Sequence, residues 1–392
     1  MSANTLAFDG WMRSRFVELN TQLEELYFAQ EDRANVAGVG DELKAQVRDE
    51  GHSHVVALLR EGNTGDGFGS AFDVLGSVGM YLAALRRHEL TNPAREDRSP
   101  FPEASSLAMH IGASIGMVPR FATSHLATHN LAVRGVRKSF TSLPDEFLFH
   151  DENTRAILCV QRAADALTRI VPIGVTSPVS AILLADAKAA LGDVLQYSGR
   201  LFDELDPDRF FYCVRPYFKP YLVGRSVYRG ANAGDFSGVN EVDLLLGVCQ
   251  ASDPSYAQLL VEKMLFMLPG DQQRLRECMT KRSLLDELLL LADESAHEPW
   301  FRANAGAFLE VCDLYGQTAA LHHDRLVKRF IEQPSSGLAE EHLEGLTASG
   351  PPLPVLLRSL AALRDQRLAR GEGSRHEAFA RLRSAVSPSS TG

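Results

Sequence analysis

The sequence predicts an all-α protein. Apolar residues recur three and four apart along most of the chain, strict alternation over a strand's length is nearly absent, and Pro and Gly gather in a few stretches that separate the periodic ones. In order, residues 12–32 place Met12, Phe16, Leu19, Leu23, Leu26 and Tyr27 on one stripe, and residues 71–87 do the same with Ala71, Val74, Leu75, Val78, Leu82 and Leu85. Further stripes run through 155–170, 180–204, 241–250, 257–267, 283–292, 303–331 and 353–369. Thr91 to Ser106, with Pro93, Pro100 and Pro102, reads as a loop or domain linker; Val223 to Asn240 and Gln333 to Pro354 read as irregular. The expected organisation is a small N-terminal helical domain with linker (1–135), a large helical domain (136–370) and a flexible C-terminal tail (371–392).

Composition narrows the function. Hydrophobic residues are 45% and charged residues 23%, which suits a globular chain with a sizeable core. Lys plus Arg is 40 against 50 Asp plus Glu, a net charge of −10. Such a surface repels phosphate backbones and anionic membranes, so neither nucleic acid nor a membrane is an expected partner. The five cysteines (Cys159, Cys213, Cys249, Cys278, Cys312) are odd in number and widely spaced, with no CxxC pair. This argues against a disulfide framework or a zinc knuckle and for a reducing compartment. The N-terminus carries charges where a secretory signal needs an apolar run, so the expected location is the cytoplasm.

Two motifs read as structural. GNTGDGFGS (62–70) departs from G-x-G-x-x-G, follows a helical pattern and lacks the Lys-Ser/Thr of a P-loop, so it is an inter-helix loop. His125 and His129 stand four apart, as zinc ligands can, but without the Glu of H-E-x-x-H or a third ligand.

Two other segments carry chemistry. Residues 305–334 form a long amphipathic pattern with Phe308, Cys312, Tyr315, Ala319, Leu326 and Phe330 on its apolar face. His322 or His323 falls on or beside that stripe, and periodicity does not choose between them. An imidazole there is either a satisfied core histidine or an axial haem ligand, since neutral ring nitrogen facing an apolar cavity is what haem iron uses. In FFYCVRPYFKPYLVGRSVYRGANAG (210–234), Phe210, Phe211 and Tyr212 precede Arg215, and Pro216 and Pro220 break any regular helix. The segment is either an aromatic core patch with a surface arginine or a ligand pocket with ring walls and a bidentate carboxylate clamp. GANAG supplies small residues that let backbone approach a flat cofactor.

FFYCVR, VYRG, GANAG and VDLLLGVCQ occur in the order and spacing found in indoleamine 2,3-dioxygenase. RPYFKPYLVGRSVYRG, SFTSLPDE (139–146) and residues 58–89 resemble still more closely the pyrrolnitrin-pathway haem proteins of that superfamily. The similarity covers residues 55 to 370. It implies an indoleamine 2,3-dioxygenase-like helical bundle that holds haem b (iron protoporphyrin IX) non-covalently, because Val327 stands where a thioether-forming cysteine would be. It selects His323 as the iron ligand, with Asp243 near the axial imidazole and Gly230 and Gly234 against the cofactor. It gives Arg215 to the substrate carboxylate, with Phe210 and Phe211 beside the ring, Ala233 over the distal face, and Ser349 and Gly350 in a loop closing over substrate. His125, in HLATHN, resembles a distal histidine that moves a proton. Ile157 departs from the family pattern where a distal serine stands, and Ile331 where a tyrosine does.

The implied function is a haem-dependent oxygenase that acts on L-tryptophan or a related aromatic amino acid, with dioxygen or peroxide as oxidant, in secondary metabolism. A tyrosine-type hydroxylase is the alternative within that class. A non-catalytic haem sensor or carrier, which would not need the Arg215 clamp, and a helical scaffold without haem are rivals of other classes. A homodimer is compatible with all of them.

Overall fold

A computed structural model describes residues 2–62, 67–335, 353–370 and 374–387. The all-α expectation holds, with one addition. Tyr221–Val223 (β1) and Ser226–Tyr228 (β2) pair antiparallel, Leu222 opposite Val227, around Gly224 at φ +61°. The chain divides into two compact units, one formed by residues 1–151, 204–235 and 329–356 and the other by 152–203, 236–328 and 357–392.

The first unit is built on α1 (Ala3–Met12), α2 (Arg15–Phe28), α3 (Asp41–Glu61), α4 (Phe68–Arg87) and α5 (Pro102–Ile115). Ser2 caps α1 by accepting the Thr5 N–H at 3.1 Å. Asp41 and Glu42 open α3 and Arg60 closes it, in accord with the helix dipole. Gly62, at φ +77°, ends α3, so GNTGDGFGS begins as the expected inter-helix loop. Helix α4 is long and apolar enough to span a membrane by composition, but most of it is buried within the protein. Close approach explains two glycines. A Cβ on Gly51 of α3 would stand 2.3 Å from the Tyr81 ring, and one on Gly79 would stand 2.2 Å from the Phe121 backbone nitrogen.

The second unit holds most of α6 (Pro144–Ile173), α7 (Pro178–Glu204), α8 (Gly238–Leu246), α9 (Pro254–Met264), α10 (Pro269–Met279), α11 (Leu284–Ser295) and α12 (Pro299–Leu321), with most of α13 (Leu353–Arg367) and all of α14 (Ser374–Val386). Proline at the first helical position recurs, at Pro254, Pro269 and Pro299, where its missing N–H costs no intrahelical bond. Leu167, Ile170, Leu245, Leu260, Phe301 and Phe308 lie in its core.

The units differ from the sequence partition at 135. The Pro-rich stretch after α4 is no boundary: Thr91 and Ser99 are buried, and the Ser99 N–H donates to the Gly224 carbonyl at 2.7 Å. Within the segment 371–392, the described residues 374–387 include α14. Phe379 and Leu382, three apart on α14, are buried, and Arg375 donates to the Gly247 carbonyl and to Asp286, each at 2.7 Å.

Candidate functional site

In the first unit, Asp206 accepts the Arg209 N–H at 2.8 Å and starts a helical turn at Pro207. The turn widens into a π-helix over Phe210–Val214, then tightens into a 3-10 turn over Arg215–Phe218. Pro216 cannot continue an α-helical ladder, and such irregular turns recur at functional sites. Phe210 is buried against Phe149 at 4.9 Å and edge-on to Phe330 at 6.0 Å. Arg215 is 7% exposed, and its guanidinium carbon lies 5.2 Å from the Phe211 ring centre. Burial pulls its pKa down to about 10. A planar guanidinium can fork onto a carboxylate, and rings adjoining it can pack against an aromatic body.

The loop with His125 and the loop with Ala233 are fastened together through Asp235. Arg120, fully buried, donates from both Nη atoms to Asp235, at 3.1 and 2.8 Å. Arg229 donates to the same carboxylate at 3.1 Å, as does the Thr123 N–H. Thr123 Oγ1 donates to the Asn232 carbonyl at 2.7 Å. The Gly234 N–H donates to Asn232 Oδ1 at 2.9 Å, Ala233 is exposed and Gly230 is buried. These arrangements fix the GANAG backbone without side-chain bulk.

His125 is placed differently from the proton handler the resemblance implies. The Ala122 N–H donates to Nδ1 at 2.8 Å, so the proton is on Nε2, which donates to the Phe72 carbonyl at 2.8 Å. The Phe72 ring stacks on it at 3.8 Å, and a Cβ on Gly76 would lie 2.2 Å from its Cδ2. Desolvation lowers its pKa to about 3. A neutral ring with both nitrogens on backbone has the geometry of a positioning residue. The SFTSLPDE motif is also structural: buried Glu146 accepts the N–H groups of Phe140 and Thr141, each at 2.7 Å, at the start of α6.

In the second unit, α12 passes into a π-helix over His322–Glu332. His323 is buried, and its Nδ1 lies 3.2 Å from Asp324 Oδ1 and 3.1 Å from Arg364 Nη1 of α13. Nδ1 can donate to the carboxylate or accept from the guanidinium, and either contact fixes the ring from that side. His322 makes no hydrogen bond among the described residues. It is exposed by surface area, yet desolvation, with the Arg367 charge next in effect, lowers its pKa to about 4. The lowered pKa keeps the ring neutral at neutral pH.

The hydrogen bonds of Asp243 among the described residues go to groups other than the His323 imidazole. Asp243 lies inside α8, fully buried, and accepts from Arg367 Nε and Nη2 at 2.8 and 2.7 Å, from Tyr256 at 2.7 Å and from Tyr315 at 2.8 Å. The carboxylate beside His323 is that of Asp324. Arg120, Asp235, Asp324, Arg364 and Arg367 had no distinguishing signal in the sequence, because nothing about an isolated charged residue foretells burial. Ser349 and Gly350 lie outside the described residues.

The residues present fit a haem. Among the described residues no three His, Cys, Asp or Glu side chains converge as metal ligands. A haem iron would take an imidazole held from its other nitrogen, and the His323 ring is held at Nδ1. Val327, 2% exposed, packs as an apolar residue where a thioether would require cysteine.

The monodechloroaminopyrrolnitrin synthase PrnB family profile matches residues 2–386, so the chain belongs to that family almost end to end.

Proposed function

We propose that this protein is a haem-dependent oxygenase that acts on L-tryptophan or a related aromatic amino acid in secondary metabolism. The family's name, that of an enzyme producing monodechloroaminopyrrolnitrin, supports an oxidative enzyme of that setting. The observation that carries the substrate class is buried Arg215 beside Phe211. A haem sensor needs no such clamp.

Bound at His323, haem b would supply the redox chemistry and activate dioxygen or peroxide. The chain's own residues do the rest. Arg215 takes the substrate carboxylate in a bidentate grip and so fixes which end of the amino acid enters. Phe210 and Phe211 exclude water and stack on the aromatic body. Asp235, through Arg120 and Thr123, holds the glycine-rich backbone still, and His125 pins its own loop to the Phe72 carbonyl. Asp324 and Arg364 orient His323 from Nδ1.

The test is an optical titration of haem-loaded protein. L-tryptophan should shift the Soret band, and Arg215→Ala should weaken its binding by about tenfold to a hundredfold, the worth of a charged hydrogen-bond pair. His323→Ala should abolish the axial-histidine signature and His322→Ala should keep it. An unchanged tryptophan affinity in Arg215→Ala refutes the clamp, and an undiminished band in His323→Ala refutes the ligand.

A further inference from the structure

The Tyr212 carbonyl lies inside the π-helix over Phe210–Val214. An α-helical ladder would satisfy it from the nitrogen of residue 216, but that residue is a proline and has no N–H. The donor comes from another element. Arg87, the last residue of α4, donates from Nη2 to the Tyr212 carbonyl at 2.9 Å. Arg87 is itself held fast. It forks onto Glu24 of α2 from Nε and Nη2, at 2.8 and 2.7 Å, with the arginine side chain 6% exposed and the carboxylate fully buried. Its guanidinium carbon lies 4.8 Å from the Tyr27 ring centre. Beside it, the Tyr27 hydroxyl lies 3.0 Å from His88 Nδ1, and His88 Nε2 lies 2.7 Å from Asn20 Oδ1. An amide oxygen only accepts, so Nε2 carries the proton and Nδ1 accepts from the hydroxyl.

Asn20, Glu24 and Tyr27 stand four and three apart, so one buried face of α2 carries the whole polar set. Packing α2 on α4 does not require it, because apolar side chains of similar volume close such a contact as well or better. What the ion pair adds is a donor at one point of an irregular turn. Nη2 serves both Glu24 Oε2 and the Tyr212 carbonyl, so α2 sets its position and the π-helix receives it. The turn has a competitor. Within it the Arg215 N–H donates to the Phe210 carbonyl, five residues back. A regular α-helical turn would bond Phe210 to Val214 instead and would rotate every later side chain, Arg215 first, by about 100°.

We propose that Arg87, anchored by Glu24, is a positioning residue: it supplies the hydrogen bond that Pro216 withholds and so fixes the wide turn that aims Arg215. The inference rests on the reading of Arg215 as the group that takes the substrate carboxylate. Arg87 and Glu24 act through the turn and not on the ligand.

Amide hydrogen exchange and calorimetric titration of the haem-loaded protein test this, with L-tryptophan and tryptamine as probes. Glu24→Gln with Arg87→Met removes both charges, so no ion is orphaned. Exchange at 213–218 should quicken about tenfold or more, while α2 and the rest of α4 keep wild-type protection. Affinity for L-tryptophan should fall about tenfold to a hundredfold, the effect of misplacing a binding group by about 1 Å, and tryptamine, which has no carboxylate, should bind as it does to the wild type. Arg87→Lys keeps the charge opposite Glu24 without the planar fork, so it should fold and show the same split in smaller measure; it decides the matter if the double variant does not fold. The inference fails if exchange in the turn is unchanged, if a folded variant loses protection equally across α2 and α4, or if tryptamine weakens as much as L-tryptophan. A wild type that binds no L-tryptophan would sink the clamp and this inference together. Variants that bind it as tightly as a binding wild type would sink this inference alone.

Discussion

Asp243→Asn should be among the most destabilising single substitutions in the second unit. The carboxylate is fully buried and neutralises Arg367, whose side chain is 17% exposed, across two hydrogen bonds. Removing the charge while keeping the shape leaves the guanidinium buried without its counter-ion, which costs about 3–5 kcal/mol. Asparagine keeps one acceptor oxygen for the tyrosines, so one of Tyr256 and Tyr315 loses its partner, adding about 1–3 kcal/mol if that hydroxyl finds no other. Against a domain stability of about 5–15 kcal/mol, this is a large fraction. Urea unfolding followed by circular dichroism measures the loss, and amide hydrogen exchange should locate it in α8, α9 and α12. The double variant Asp243→Asn with Arg367→Met removes both charges, keeps the same acceptor oxygen for the tyrosines as the single variant, and should recover much of the loss, because the penalty belongs to the orphaned ion. A single variant within about 1 kcal/mol of wild type, or a double variant no more stable than the single, would refute the assignment.

Two further outcomes follow from the neighbourhood of His125. Its folded pKa, about 3, lies below the ordinary 6.5, so its contribution is complete above pH 6.5 and is lost as pH falls toward 3. Between pH 6.5 and pH 5 this amounts to about 2 kcal/mol. His125→Gln, which can accept from Ala122 and donate to Phe72 without titrating, should lose correspondingly less stability between urea midpoints taken at pH 7 and pH 5; equal losses would contradict the buried neutral ring. Gly76→Ala puts a methyl group 2.2 Å from the same ring and should cost about 1–3 kcal/mol as overpacking, read as a lowered Tm; an unchanged Tm would mean that the ring is not fixed there.

The helices were legible because burial of one face imposes a period, and the periods at 71–87, 180–204 and 283–292 fall within α4, α7 and α11. The packing of α14 was hard to read for the same reason: Phe379 and Leu382 are too few apolar residues to announce a face, and what holds α14 also includes Arg375 on a carbonyl far away in sequence. The partition at 135 failed because prolines mark a break in helix, not a break between units. The family motifs singled out Arg215, Asp243 and His323 as candidates, but not the residues that contact them. Asp243 shows why. Its sequence neighbours place it on a helix, while its chemistry is fixed by an arginine 124 residues later.

The histidine pair shows where periodicity stops working. Before His322 the buried positions on α12 include Cys312, Tyr315 and Ala319; after it they are His323, Val327 and Phe330. A regular α-helical continuation would have buried Leu326, as the sequence stripe expects, but Leu326 is half-buried and Val327 takes its place. The π-helix over 322–332 accounts for the slip, since each wider turn takes up an extra residue and advances the buried face by one. The same slip separates the two imidazoles in kind. His322 is neutral and accessible, and among the described residues neither of its nitrogens has a hydrogen-bond partner. His323 is gripped at Nδ1 by groups from its own turn and from α13, which leaves Nε2 as the nitrogen with a fixed direction. A ligand must meet iron along one line, so a tethered ring has already met the orientational cost of binding that a free one still faces. That asymmetry favours His323, and it arises from the helix irregularity and from Arg364 on α13, neither of which a stripe of apolar residues can show.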